Sequence, residues 1–167
     1  MIDLCTPISV QDIEGLQVGD LVSLSGCILT GRDAALPKLV QCIKDGQLGE
    51  IGLFLEGQVM FHTAVSPAGI GPTSSNKLEI ESSIPFLAQA GVRLHLGKGA
   101  LHAATVQALN ASNAIYAVIP PVTALLGSKT LKQRVVAFPE LGMEALHELK
   151  VIEYPIVIAA AHGESLY

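Results

Sequence analysis

Three glycine-associated cations and two adjacent hydroxyls are the residues of this chain best suited to chemistry on a small anion. The stretch Gly71 to Lys77, GPTSSNK, packs turn formers, hydroxyls and a cation together. Gly71 and Pro72 permit a tight turn, and Thr73, Ser74 or Ser75 can each cap the apolar, carboxylate-containing run that follows. A helix start of that kind presents free N–H groups to anions, and the hydroxyls and Lys77 add donors that suit a carboxylate or phosphate. Arg32 follows Gly31, and Lys98 stands between Gly97 and Gly99, each where a strand gives way to a helix. Because these are three of only ten basic residues, a positive pocket for a small dianion such as a dicarboxylate is the economical inference. Arg32 would offer bidentate contact and the lysines point charges. The alternative is a capped helix start and three solvated charges near turns.

Other chemistries find little support. His62, His95 and His102 fit no metal-ligand spacing, His95 alternates with Leu94 and Leu96 as a packed or solvent-facing strand residue would, and His147 and His162 stand alone. Gly97 to Gly99 is too short for a phosphate-cradling loop or a dinucleotide fingerprint. No carboxylate pair, Ser-His-Asp order or Cys-His pairing stands out. Cys5, Cys27 and Cys42 are odd in number and widely spaced, which fits neither a disulfide framework nor a zinc or iron–sulfur ligand set, so they read as small buried hydrophobes. Metal ligands: none expected.

The elements that must position these residues alternate between strand and helix. Residues 1–20 read as a polar lead-in to a strand, Leu21 to Leu29, in which Ser23, Ser25 and Cys27 oppose Val22, Leu24 and Ile28, and Gly26 marks a bulge or a close approach. Asp33 is placed to cap a helix carrying Leu36, Leu39, Val40 and Ile43, with Pro37 in its first turn. Residues 51–55 and 58–65 read as a strand pair around Glu56-Gly57. A helix then runs from the GPTSSNK stretch to Gly91, with a kink expected at Pro85. Residues 92–96 predict a strand, 100–109 a helix, 114–121 a strand, 134–138 a weaker strand, 140–149 a helix and 151–161 a last strand. That rhythm predicts an α/β fold with at least part of its sheet parallel.

A length of 167 residues, 50% of them hydrophobic and 15% charged, suits one domain over 1–167 with a large core. Aromatic content of 4% makes that core aliphatic, and so little charge implies that a partner covers part of the surface. A net charge of −5 without a Lys/Arg cluster argues against nucleic acid or an anionic membrane as partner. No apolar run reaches the roughly 18 residues of a membrane span, and the N-terminus has no basic signal-peptide region, so a cytoplasmic location is expected.

The ordered segments GDLVSLSGCILTGRDAA, AGIGPTSSNKLE, HLGKGAL and ELGMEALHELKVIEYP resemble the β subunit, equivalently the C-terminal domain, of class I iron–sulfur fumarases and L-tartrate dehydratases, over roughly residues 16 to 167. The resemblance implies a swivelling β/β/α domain with a mixed sheet, closing over an α subunit whose cysteines hold a [4Fe-4S] cluster. It implies that Arg32 of RDAA and Lys98 of GKG bind substrate carboxylates, with Lys77 in the place of a family arginine. Thr73 and Ser74 correspond to the two family hydroxyls, Thr73 to the proposed proton-abstracting base. The implied activity is reversible dehydration of a small hydroxy dicarboxylate, in a homo- or hetero-oligomer. Expressed alone, the chain is expected to bind no cluster.

The chain departs from the family pattern at several places. Lys77 and Leu78 replace the usual Arg-Met, Leu36 stands where a histidine commonly follows RDAA, Pro120-Pro121 replaces Gly-Gly, and Ala160 replaces an aspartate. The identity of the hydroxy acid stays open for that reason, and so does a second reading, a small-anion-binding relative that regulates rather than catalyses.

Overall fold

In the computed structural model, which describes residues 1–74, 77–120 and 123–167, the first strand lies inside the stretch expected to be a lead-in. Strand β1 (Ile2–Cys5) runs parallel to β2 (Leu21–Thr30), with Leu4 opposite Leu24. Helix α1 (Val10–Glu14) lies between them, closed by a capping box in which Asp12 N–H donates to Ser9 Oγ at 3.1 Å and Ser9 N–H donates to Asp12 Oδ2 at 2.9 Å. The lead-in reading is corrected accordingly. Only Leu4 of β1 is buried, so an edge strand left no alternation to read.

The chain continues through α2 (Ala35–Lys44), β3 (Val59–Phe61), a β4–β5 hairpin (Thr63–Ser66 and Gly69–Thr73), α3 (Lys77–Gln89), β6 (Leu94–Gly97) and α4 (Ala103–Ala111). It ends in β7 (Ile115–Val118), α5 (Thr123–Ser128), β8 (Thr130–Ala137), a 3-10 helix (Pro139–Glu144), β9 (Leu146–Ala161) and β10 (Glu164–Ser165). Strands β1, β2, β3, β6 and β7 are mutually parallel in that order. β9 runs antiparallel to β7 and also to β2, so the pairing closes on itself into a partly closed barrel. The fold is mixed α/β, as the alternation predicts.

One apolar cluster fills this barrel, drawn from all five of its strands: Val22, Leu24 and Ile28 of β2 meet Phe61, Leu96, Ala117 and Tyr154. On the outer face, Leu29 and Met60 pack against Leu36 and Leu39 of α2, while Ile80 and Ile84 of α3 join Val106 and Leu109 of α4 over Tyr116 and Ala160. The helices thus cover one flank, and the parallel strands end together beside them.

Gly26 is both a bulge and a close approach. The β2–β9 register shifts between Leu24 and Gly26, the glycine has φ +116°, and a Cβ there would fall 2.2 Å from Thr6 Oγ1. Gly26→Ala is therefore expected to cost about 2 to 4 kcal/mol, the sum of a left-handed backbone penalty and overpacking. A lowered urea midpoint at unchanged slope is the readout, with Gly49→Ala, which meets open space, as control.

Three further expectations are corrected. Residues 51–55 form a turn followed by irregular chain rather than a strand, and Leu55 is buried against the outer cluster, so a packed loop imitated a strand's apolarity. Residues 140–149 are not one α-helix: 140–144 fall in the 3-10 helix, where Gly142 adopts φ 61°, ψ −122°, and His147 to Leu149 pair with Thr30 to Ile28 in β9. Long-range pairing overrides the local helical pattern there. Cys5 and Cys27 are exposed and Cys42 is half-buried, because they face outward from an edge strand, from the bulged part of β2 and from the rim of α2.

α3 contains Pro85 within one continuous helix, and α4 starts at Ala103, three residues later than expected. Of the GPTSSNK stretch, Gly71 to Thr73 belong to β5 rather than to a turn, and Ser75 as a cap lies outside the described residues, as does Pro121.

Candidate functional site

Arg32 and Lys98 follow β2 and β6, Thr73 and Ser74 stand at the carboxyl end of β5, and backbone hydrogen bonds through the end of β3 stitch those strand ends to one another. Gly31 N–H donates to Phe61 O at 3.0 Å, His62 N–H to Leu96 O at 3.0 Å, and Ser74 N–H to His62 O at 2.9 Å. Arg32, just after β2, and Ser74, just after β5, are joined by the intervening Asp33. Ser74 Oγ donates to Asp33 Oδ1 at 2.9 Å, and Arg32 Nη2 lies 3.9 Å from Asp33 Oδ2.

Asp33 therefore does not cap α2 as expected. The N-cap is Ala34, without a side-chain bond, and its N–H donates to Glu144 Oε1 at 3.2 Å. Thr73 sits opposite Thr63 in the hairpin and Ser74 is fully buried. Its hydroxyl is turned inward onto Asp33.

Lys77 and Lys98, the other two candidate cations, stand beside each other. Lys77 opens α3, and its Nζ donates to the Lys98 carbonyl at 2.6 Å. Tyr116, on β7 and almost fully buried, donates its hydroxyl to the Gly99 carbonyl at 3.0 Å. The two glycines of GKG make room for these side chains: a Cβ on Gly97 would lie 3.1 Å from the Tyr116 hydroxyl, and one on Gly99, which has φ +73°, would lie 3.2 Å from Lys77 Nζ. The spacing that fails as a phosphate loop is thus the spacing a doubly held lysine loop needs.

Charge at this end is balanced locally. Burial lowers the Lys77 ammonium from its ordinary value, Glu81 one turn along α3 opposes that shift, and Lys98 reinforces it. Glu81 accepts the His102 N–H at 2.6 Å and contacts the His102 ring, tying α3 to α4. Burial pushes the Glu81 carboxyl up, but hydrogen bonds from Thr105 and His102 outweigh it and hold it low.

Behind the site lies a pair that sequence reasoning set aside. His62 and His95 are both fully buried, their rings stack, and His62 Nε2 meets His95 Nδ1 at 3.1 Å. Among the described residues, His62 Nδ1 and His95 Nε2 have no hydrogen-bond partner. Burial depresses both, with Lys77 adding to the effect on His62, which falls to about 3, and His62 adding to that on His95. Both rings are neutral at ordinary pH.

Leu36 and Ala160, two of the departures, are core residues at 2% exposure each, so neither reaches a ligand. Lys98 and Pro120 also wall a largely apolar groove of about 420 Å³, whereas a larger groove of about 770 Å³ is lined by other residues, around Thr6, Cys27 and Phe54. Among the described residues no three His, Cys, Asp or Glu side chains come together in a way that could hold a metal ion. The donors among the described residues do not fit an iron–sulfur cluster.

Comparison with known proteins agrees with these motifs. A family profile described as Fumarase C-terminus matches residues 1–167. The L(+)-tartrate dehydratase subunit beta of Escherichia coli (strain K12) is 28% identical over 98% of this chain and 85% of its own length. The putative L(+)-tartrate dehydratase subunit beta of Methanocaldococcus jannaschii is 30% identical over 94% of this chain and 86% of its own length. The anaerobic class I fumarate hydratase of Escherichia coli (strain K12) is 28% identical over 94% of this chain but only 30% of its own length.

Proposed function

The chain belongs to the Fumarase C-terminus family, and from that premise we propose that it is the β subunit of a class I hydro-lyase that reversibly dehydrates a small hydroxy dicarboxylate of the tartrate or malate type. The observation that supports the reading is that the carboxyl ends of β2, β5 and β6, which carry Arg32, Thr73-Ser74 and Lys98, are linked by hydrogen bonds through Asp33, Ser74, His62 and Leu96. Relatives named as beta subunits support an α subunit as partner. Leu78, beside Lys77 and 79% exposed, supports a site rim that meets that partner. The domain would swivel over it, and the assembly is a cytoplasmic oligomer in this reading.

In the mechanism, Arg32 and Lys98 hold the two substrate carboxylates, and desolvation on closure strengthens both contacts. Ser74 fixes Asp33 and, through it, the Arg32 guanidinium. Thr73 takes the proton from the carbon next to the one that loses hydroxide. A neutral threonine hydroxyl is a poor base, so the cations gathered here must favour its alkoxide. In this reading the departing hydroxide and the class's [4Fe-4S] cluster would fall to the α subunit, as the described residues of this chain include no ligand set for a cluster.

Anaerobic co-expression with an α-type partner, followed by a dehydration assay on L-tartrate and malate, tests the reading; an assembled complex that turns over neither defeats it. In that complex Thr73→Val should lower kcat by about 10²- to 10⁴-fold with KM nearly unchanged, as loss of a proton-transfer group does. A change in KM alone would remove Thr73 from the chemistry.

A further inference from the structure

The Gly97–Lys98–Gly99 loop has two successive carbonyls engaged by side chains from different elements, Lys98 O by Lys77 of α3 and Gly99 O by Tyr116 of β7. We propose that Tyr116 and Lys77 are positioning residues that lock this loop and so aim Lys98 at a substrate carboxylate, Lys77 acting through Lys98 rather than by touching substrate. The inference rests on the hydro-lyase reading of the site.

Fixing two successive carbonyls fixes the two peptide planes on either side of the Gly99 Cα, and because the first of them is the plane that follows Lys98 it restrains the direction in which the Lys98 side chain leaves the backbone. The glycines have no such effect by themselves, since Gly99 at φ +73° lies where glycine moves freely. The side chains that hold the loop are themselves held. Tyr116 is 2% exposed, packs in the α3–α4 cluster and lies in register with Ala160 of β9. Lys77 is shared between the Lys98 carbonyl and the field of Glu81, whose carboxylate is anchored on α4. An amine committed to a backbone carbonyl at 2.6 Å has given one of its donors to the loop. A lysine, unlike a forked arginine, is a compact donor that suits one carbonyl.

The test is a double-mutant cycle in the complex assembled with the α subunit, using L-tartrate or malate, whichever the wild type turns over. Tyr116→Phe keeps the ring and removes only the hydroxyl; it should raise KM about 5- to 10-fold with kcat within about twofold. In a Lys98→Met background the same change should add nothing, because its effect passes through Lys98. Lys77→Met should behave alike. An equal rise of KM in both backgrounds, or no rise in the wild type, overturns the positioning role, and for Lys77 the equal rise would mean direct substrate contact. Failure of the wild-type complex to act on any hydroxy dicarboxylate sinks the functional reading instead. The loop is then read in the isolated chain, where Tyr116→Phe should lower the backbone amide order parameters of Gly99 and Ala100, whose N–H groups lie in the two held planes, from about 0.85 toward 0.6, and unchanged order parameters overturn the inference.

Discussion

Arg32→Met in the assembled enzyme should weaken substrate binding by about 2 to 5 kcal/mol, the loss expected when one partner of a desolvated ion pair is removed. The size follows from geometry and closure. The Arg32 side chain is 23% exposed in the free chain, and Asp33, braced by Ser74, stands beside its guanidinium. A carboxylate received by that fork gains paired hydrogen bonds that a methionine cannot offer. Lys38→Met is the control: Lys38 pairs with Glu140 at 3.3 Å on the exposed surface, where such pairs contribute little. Substrate titration of both variants decides the matter. Equal, small effects would make Arg32 one more surface charge.

Acid should destabilise the isolated chain steeply below about pH 6.5, through His62 and His95. In the folded protein both rings stay neutral, His62 down to about 3, whereas in the unfolded chain each takes up a proton near 6.5. The unfolded state therefore binds more protons between those limits, and stability falls as pH falls through that window. Each histidine contributes up to about 1.4 kcal/mol per pH unit once its unfolded form is charged. Urea midpoints at pH 7, 6 and 5 measure the slope, and the double variant His62→Gln/His95→Asn should flatten it. A variant as acid-sensitive as the parent would remove the pair as the cause.

The cations were legible in the sequence because each sits in a glycine-containing segment where strand passes to helix, a local signal. The same holds for β2, whose alternation and Gly26 bulge are printed in consecutive residues. What escaped was decided by distant partners. Asp33 looked like a helix cap, but Ser74, 41 residues away, claims its carboxylate. His62 and His95 fit no motif because their relation is a single contact across two neighbouring parallel strands. Tyr116 carried no signal at all, being one aromatic residue in a buried strand until Gly99 O is seen within reach of its hydroxyl. Residues 140–149 misled for the same reason, since their helical pattern yields to pairing with β2.

Strand β9 closes the barrel against β2, with Leu21 opposite Val157 and Thr30 opposite His147, so β2 pairs with a strand synthesised well over a hundred residues after it. At ordinary translation rates the delay is on the order of ten seconds. Throughout it, Val22, Leu24 and Ile28 lack the β9 side of their enclosure. A long wait with an open apolar edge exposes the nascent chain to association with its neighbours, so soluble yield should depend on expression rate and temperature more than the stability of the finished barrel would suggest.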